Sequence, residues 1–396
     1  MTILLLILIY LAFISLGLPD SLLGAVWPAA YPEFGVPYSF AGIYSVAIFL
    51  STVLSSMFSA HVIRRFGTGK VTAVSVGLTA TALMGIYFAP SALWLLAMCL
   101  PLGLGAGAVD AGLNAYVAEH YKSRHMSWLH CFWGVGAMAG PILLSRYIEA
   151  GNWRGGYRLI SFLQFGLCAA LLIAIPLWGK VARLNEGKEL RGEGKERTVG
   201  LIAALQIKGV KPALLSFLFY CGVETTVGLW GASYLSSVKG FSPAQSAGLI
   251  SVFFFGITIG RFLNGFATIK LSNRVLVRTG ILTTAVGIVV LLLPLPESIA
   301  VVGLGLIGFG CAPVFPCLLH ETPVLFGREN AQAIMGFQLA SAYVGCSLMP
   351  PLFGLVAQIT SLALFPVCVL LFAGGLFACT ERVGALSRQT AKPAAE

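Results

Sequence analysis

The chain has 396 residues, 58% of them hydrophobic and only 10% charged, with a formal net charge of +10. That balance excludes a soluble globular class, because repeated apolar runs near 20 residues read as membrane-spanning helices. The positive charge does not point to nucleic acid, since the basic residues collect in alternate loops. The nine cysteines are scattered through apolar runs with no zinc spacing and no disulfide framework, so neither metal nor cofactor is expected.

The first helix is predicted from Ile3 to Trp27. No basic segment precedes it and no small-residue cleavage site follows, so it reads as a span and not as a signal peptide. Asp20 lies inside it, directly after Pro19. That proline has no N–H for the carbonyl of Ser15, so the helix should open where the acid sits. Gly24 and Trp27 continue along the face of Asp20, and Glu33 is read as an outer-loop charge. A second helix, Tyr38 to Ala60, ends in a basic loop carrying Arg64 and Arg65. A third runs from Val71 to Phe88.

The fourth helix, starting near Leu93, contains PLGLGAGAVDAGLNAYVAEHY at 101–121. Asp110 and Asn114 are four residues apart and share a helix face. Gly103 and Gly107 extend that stripe, so a neighbouring helix or a ligand can approach the backbone. Membrane carboxylates usually face a bundle interior or a wet cavity and mark function; the structural alternative is a protonated Asp110 tying two helices together. The fifth helix, 126–144, aligns His130, Trp133, Ala137 and Pro141, and the sixth, Tyr157 to Trp178, carries Gln164 as structural glue.

Residues 180–211 change character: VARLNEGKELRGEGKERTV is charged and Gly-punctuated, a solvated linker. The seventh helix, Pro212 to Ser237, holds Glu224 near mid-span. The eighth, Ser242 to Ala267, carries GRFLNG near its end, with Arg261 assigned to the cytoplasmic loop. Helices follow at Val275–Leu295, Ile299–Leu319 (with CAPVFPC), Ala331–Gln358 and Leu362–Cys379. The eleventh presents Gln338, Ser341 and Gly345 on one face.

The halves repeat each other. Asp20, Gly24 and Trp27 are answered by Glu224, Gly228 and Trp230, and Met126, Gly136 and Pro141 recur as Met335, Gly345 and Pro350. The expected architecture is all-α, with 12 transmembrane helices in two related six-helix bundles at 1–179 and 212–385 and a tail from 386. With both termini in the cytoplasm, 21 of the 25 basic residues fall on the inner side. Of the 15 acids, only Asp20, Asp110 and Glu224 lie within spans, and this reading places no Lys or Arg at mid-span beside them.

On these residues the chain resembles the major facilitator superfamily over its whole length. It is most similar there to the fucose–galactose–glucose proton symporters, through GLGAGAVDAGLNAYV at 103–117, Asp20, GRFLNG and GVETTVGLWGASYL. One motif departs: the superfamily's Gly-x-x-x-Asp-Arg-x-Gly loop after helix 2 reads AHVIRRFG here, with Arg64 in place of the acid. The resemblance implies a proton-coupled symporter of a monosaccharide, working by alternating access as a monomer in the cytoplasmic membrane. Asp20 and Asp110 are the candidate proton-coupling acids. The candidate solute ligands are Asp110, Asn114, His130, Trp133, Glu224, Trp27, Trp230 and Gln338. Carboxylates and amides bond paired hydroxyls, and tryptophans offer apolar faces to a sugar ring. Arg64, Arg65 and Arg261 are assigned to the gating loops. Two other readings remain open from the residues: a proton-driven exporter of lipophilic or cationic compounds, and a non-transporting receptor or scaffold. No nucleophile–base set points to an enzyme.

Overall fold

Pro19 breaks the first span as its missing N–H requires: α1 (Thr2–Asp20) stops at the acid, Ser21 forms a turn, and α2 (Leu22–Phe34) resumes. The computed structural model describes residues 2–121, 123–185, 205–294 and 296–390. Most of the charged linker, 186–204, and the end of the tail, 391–396, lie outside the described residues. Twelve stretches among the described residues are long and apolar enough to cross a membrane.

After α1 and α2 come α3 (Phe40–Phe66), α4 (Thr68–Tyr87), α5 (Ala92–His120), α6 (Ser123–Glu149) and α7 (Trp153–Ile173). The sixth helix is shorter than expected because Pro176 interrupts it; α8 (Ile175–Asn185) follows as a separate piece containing Trp178. The second half is α9 (Val210–Ser237), α10 (Pro243–Ala267), α11 (Asn273–Leu292), α12 (Glu297–Cys311), α13 (Val314–Phe326), α14 (Arg328–Ile359) and α15 (Phe365–Thr390). α12 and α13 are one span broken at Pro313, which lacks the N–H that would bond the Phe309 carbonyl.

The first span also runs past its expected end. The helix continues through Pro28 and Pro32 to Phe34, and Gly35 closes it in the left-handed region with φ 62°. Glu33 therefore sits on the last turn of α2 and not in a loop. Its carboxylate takes the Trp153 indole N–H at 2.6 Å and pairs with Arg154, tying α2 to the start of α7.

Two compact units emerge from the packing, and they are a different partition from the sequence repeats. One comprises the described residues up to 185 with 228–255 and 354–362; the other comprises 205–227, 256–353 and 363–390. In the first, α5 packs along α3 and α4, and α6 along α1. Its interior gathers Ile9 and Phe13 of α1, Val76 of α4, Leu113 of α5 and Leu129 of α6. Large apolar side chains such as Leu50, Phe58 and Phe162 stay exposed, as lipid-facing positions require. Since lipid is as apolar as leucine, close backbone packing and hydrogen bonds, more than apolar burial, hold such helices together.

The duplication is visible in these close approaches. A Cβ added at Gly136 of α6 would lie 2.1 Å from the Ile14 carbonyl oxygen of α1; one at Gly345 of α14 would lie 2.3 Å from that of Leu218 of α9. The same helix contact is thus built twice. Where Gly24 of α2 meets its repeat relative Gly228 of α9, an added Cβ would lie 2.2 Å from the Gly228 carbonyl oxygen.

Candidate functional site

Asp20 and Asp110 come together within the first unit. Asp20 ends α1 and remains exposed even though it sits in the middle of a span. Its Oδ2 accepts the indole N–H of Trp133 on α6 at 2.7 Å. Asp110 on α5 is near enough for the two carboxyls to interact through space. Asn114 closes onto Asp110: its amide nitrogen donates to Oδ1 at 2.8 Å and to the Asp110 carbonyl at 2.9 Å. The stripe carrying Gly103 and Gly107 is taken by a helix and not a ligand, because Cβ atoms there would lie 2.2 Å from the Ile48 and Thr52 carbonyl oxygens of α3.

Among the described residues neither Asp20 nor Asp110 has a cationic partner. Both are held by neutral donors, which bond a carboxylate without fixing its charge. His130, three residues before Trp133 on α6, is exposed and stands edge-on to Phe13 at 5.9 Å. Trp133, Asp20, Asp110 and Asn114 thus form a polar constellation on α1, α5 and α6.

The third acid is different, and here the structure corrects the sequence reading. Arg261 is not a loop residue: it lies within the α10 span, with its Nη2 3.3 Å from Oε1 of Glu224 on α9. Their side chains are only 19% and 17% exposed. A mid-span arginine is therefore present, and its charge is balanced by Glu224. The sequence distance of 37 residues hides this pairing, although GRFLNG lay inside an apolar run and could have raised it.

Three other candidate ligands are built into the fold. Trp27 is fully buried, donating its indole N–H to the Tyr38 carbonyl at 2.5 Å and meeting the edge of Tyr44. Trp230 is fully buried too, packed against Tyr38 and Gly354. Neither ring presents a face to a solute in this conformation. Gln338 is 2% exposed and its Oε1 accepts from Thr322 at 2.9 Å, joining α14 to α13. Arg64 and Arg65 are exposed on the last turn of α3, Arg65 over the ring of Phe66.

Gln164 emerges with a specific task. Its amide nitrogen donates to the Ser15 carbonyl at 2.8 Å, the group that Pro19 leaves without a helical partner. Its Oε1 accepts from Thr79 on α4 at 2.7 Å. An orphaned carbonyl in a span demands a donor, and that demand was readable from Pro19 alone; the donor's identity was not.

Comparison with known proteins agrees with this architecture. The Major Facilitator Superfamily model matches residues 9–250. The glucose/mannose transporter GlcP of Bacillus subtilis is 22% identical over 353 residues, 87% of this chain and 86% of that protein. The bypass of stop codon protein 6 of Saccharomyces cerevisiae is 24% identical over 277 residues, 65% of this chain; the match spans 55% of that longer relative. Among solved structures, the nucleoside transporter NupG superimposes with a TM-score of 0.73 at 13% identity, covering 96% of this chain and 98% of that one, a likeness of fold alone. The chain belongs to the Major Facilitator Superfamily: it is a multi-pass integral membrane protein and a secondary transporter of a small-molecule solute, not an enzyme.

Proposed function

We propose that this transporter carries a monosaccharide-like solute together with protons, in the manner of the fucose–galactose–glucose symporters, with both termini in the cytoplasm. The observation that carries the reading is the cation-free pair Asp20 and Asp110, held by Trp133 and Asn114. A carboxyl in a partly dry site binds and releases a proton when its surroundings change. If solute and proton favour the same conformation, their movements are coupled, because each ligand shifts the equilibrium only by its differential affinity. Glu224, by contrast, is paired with Arg261. Asn114, Asp110 and the exposed His130 supply donors and acceptors for vicinal hydroxyls. The likeness to the Bacillus subtilis glucose/mannose transporter GlcP favours a hexose within this class.

Purified protein in liposomes should take up labelled monosaccharides when the outside is acidified and lose that dependence with a protonophore. Failure with every sugar, together with drug sensitivity of a deletion strain, would return the exporter reading. For orientation, a reporter active only outside the cell and fused at Gly192 should stay silent, since eight basic residues fall within 180–211. Activity there would invert the topology.

A further inference from the structure

We propose that Gln164 is a positioning residue for Asp20: it holds open the break in the first span that presents the acid. The inference rests on Asp20 being the coupling carboxyl. Five residues before Asp20, the Ser15 carbonyl points at a position where Pro19 has no N–H to give. Ser15 and Gln164 are both buried, so water does not replace the missing donor, and a carbonyl left alone in a span is costly. Gln164 supplies the bond from α7, 149 positions along the chain.

The amide must also face the right way. Its two ends differ only in that one donates and the other accepts, so the orientation is set by neighbours. Thr79 lies 2.7 Å from Gln164 Oε1 and 2.9 Å from the Val76 carbonyl. A hydroxyl has one proton. With the Gln164 nitrogen committed to Ser15, that proton goes to Oε1, and the chain of donors runs Thr79 to Gln164 to Ser15. The Ser15 carbonyl, which only accepts, turns the amide nitrogen toward it, and the hydroxyl satisfies the oxygen left facing α4. Both groups are buried, Gln164 at 1% and Thr79 at 4% exposure, so the relay is sealed from solvent.

Among the described residues the second half lacks this device. The position related to Pro19 is Val223, α9 runs unbroken through Glu224, and that acid is met by Arg261. The broken helix and its amide thus accompany the unpaired acid, and the continuous helix accompanies the neutralised one. This asymmetry separates a positioning role from general packing glue.

The test compares Gln164→Met, which keeps volume but removes both bonds, with Thr79→Val and the conservative Thr79→Ser, in liposomes loaded with equal amounts of folded protein. Thr79→Val should lower solute accumulation about fivefold, the scale of one lost hydrogen bond, and Gln164→Met, which loses both bonds, by at least as much. Both should shift the pH of half-maximal accumulation in the same direction, while Thr79→Ser stays near wild type. The double variant Pro19→Ala/Gln164→Met returns an N–H to the Ser15 carbonyl within the helix. It should recover the thermal stability lost in Gln164→Met without recovering accumulation, because the break is closed. Wild-type accumulation in that double variant, or single variants that lose stability with an unmoved pH profile, would reduce Gln164 to a carbonyl partner. Asp20→Asn, run in parallel, separates the two failures. If it still accumulates solute, the coupling assignment is wrong; if it does not and Gln164→Met behaves as wild type, only the positioning role is wrong.

Discussion

Asp20→Asn should exchange labelled solute across a membrane at equal concentrations yet fail to accumulate it under a pH gradient. Asparagine keeps the size of the side chain and still accepts the Trp133 indole N–H, so the break at α1 and the contact with α6 survive. What it loses is the ability to release a proton. For one proton per solute, a gradient of one pH unit supports up to about tenfold accumulation, the equivalent of about 1.4 kcal/mol; the variant should show none. Asp110→Asn should weaken exchange as well, because it alters the carboxylate onto which Asn114 folds. Counterflow measured beside gradient-driven uptake distinguishes these outcomes. Accumulation by Asp20→Asn in acidified medium would move the coupling role to Asp110.

Glu224→Gln should destabilise the protein far more than a surface substitution does. Removing one member of a buried ion pair leaves the other charge unmatched, at a cost of about 3–5 kcal/mol when burial is complete. The pair retains some exposure, 17% and 19%, so a loss of about 2 kcal/mol is expected after screening. The double variant Glu224→Gln/Arg261→Met should regain most of it, since no isolated charge remains. A double-mutant cycle on melting temperature in detergent measures the coupling. Strictly additive losses would deny the pair and reopen the reading of Glu224 as a solute ligand.

The contrast between the two halves shows how far one-dimensional pattern carries. The break beside Asp20 followed from Pro19, because a missing donor is a local fact. The pairing of Asp110 with Asn114 followed from helical spacing, which is equally local. The meeting of Glu224 and Arg261 did not, since it depends on how far two helices are rotated and slid against each other. In helices apolar nearly all round, periodicity does not reveal that rotation. The burial of Trp27 and Trp230 is hidden for the same reason: a tryptophan beside an acid in sequence turns either to a cavity or to a neighbouring helix, and here both rings turn to Tyr38. The first span ran past Trp27 because Gly35, and not Pro28 or Pro32, supplies the helix stop.

The asymmetry also bears on mechanism. Among the described residues one acid, Asp20, has no cationic partner and lies at a broken helix; another, Glu224, is paired with Arg261 on a continuous helix. The two halves thus treat their membrane acids differently: Asp20 is held by the neutral indole of Trp133, and Glu224 is paired with Arg261. Under the proposed proton coupling, solute binding should alter the proton affinity of Asp20 and Asp110.

The most direct measurement is proton movement driven by solute alone. Liposomes containing the transporter and an internal pH dye, at equal pH on both sides, receive an inward gradient of a transported sugar. Wild type should acidify the interior, and Asp20→Asn should carry sugar inward with no change in dye signal. Sugar entry without acidification in the wild type would contradict proton-coupled symport.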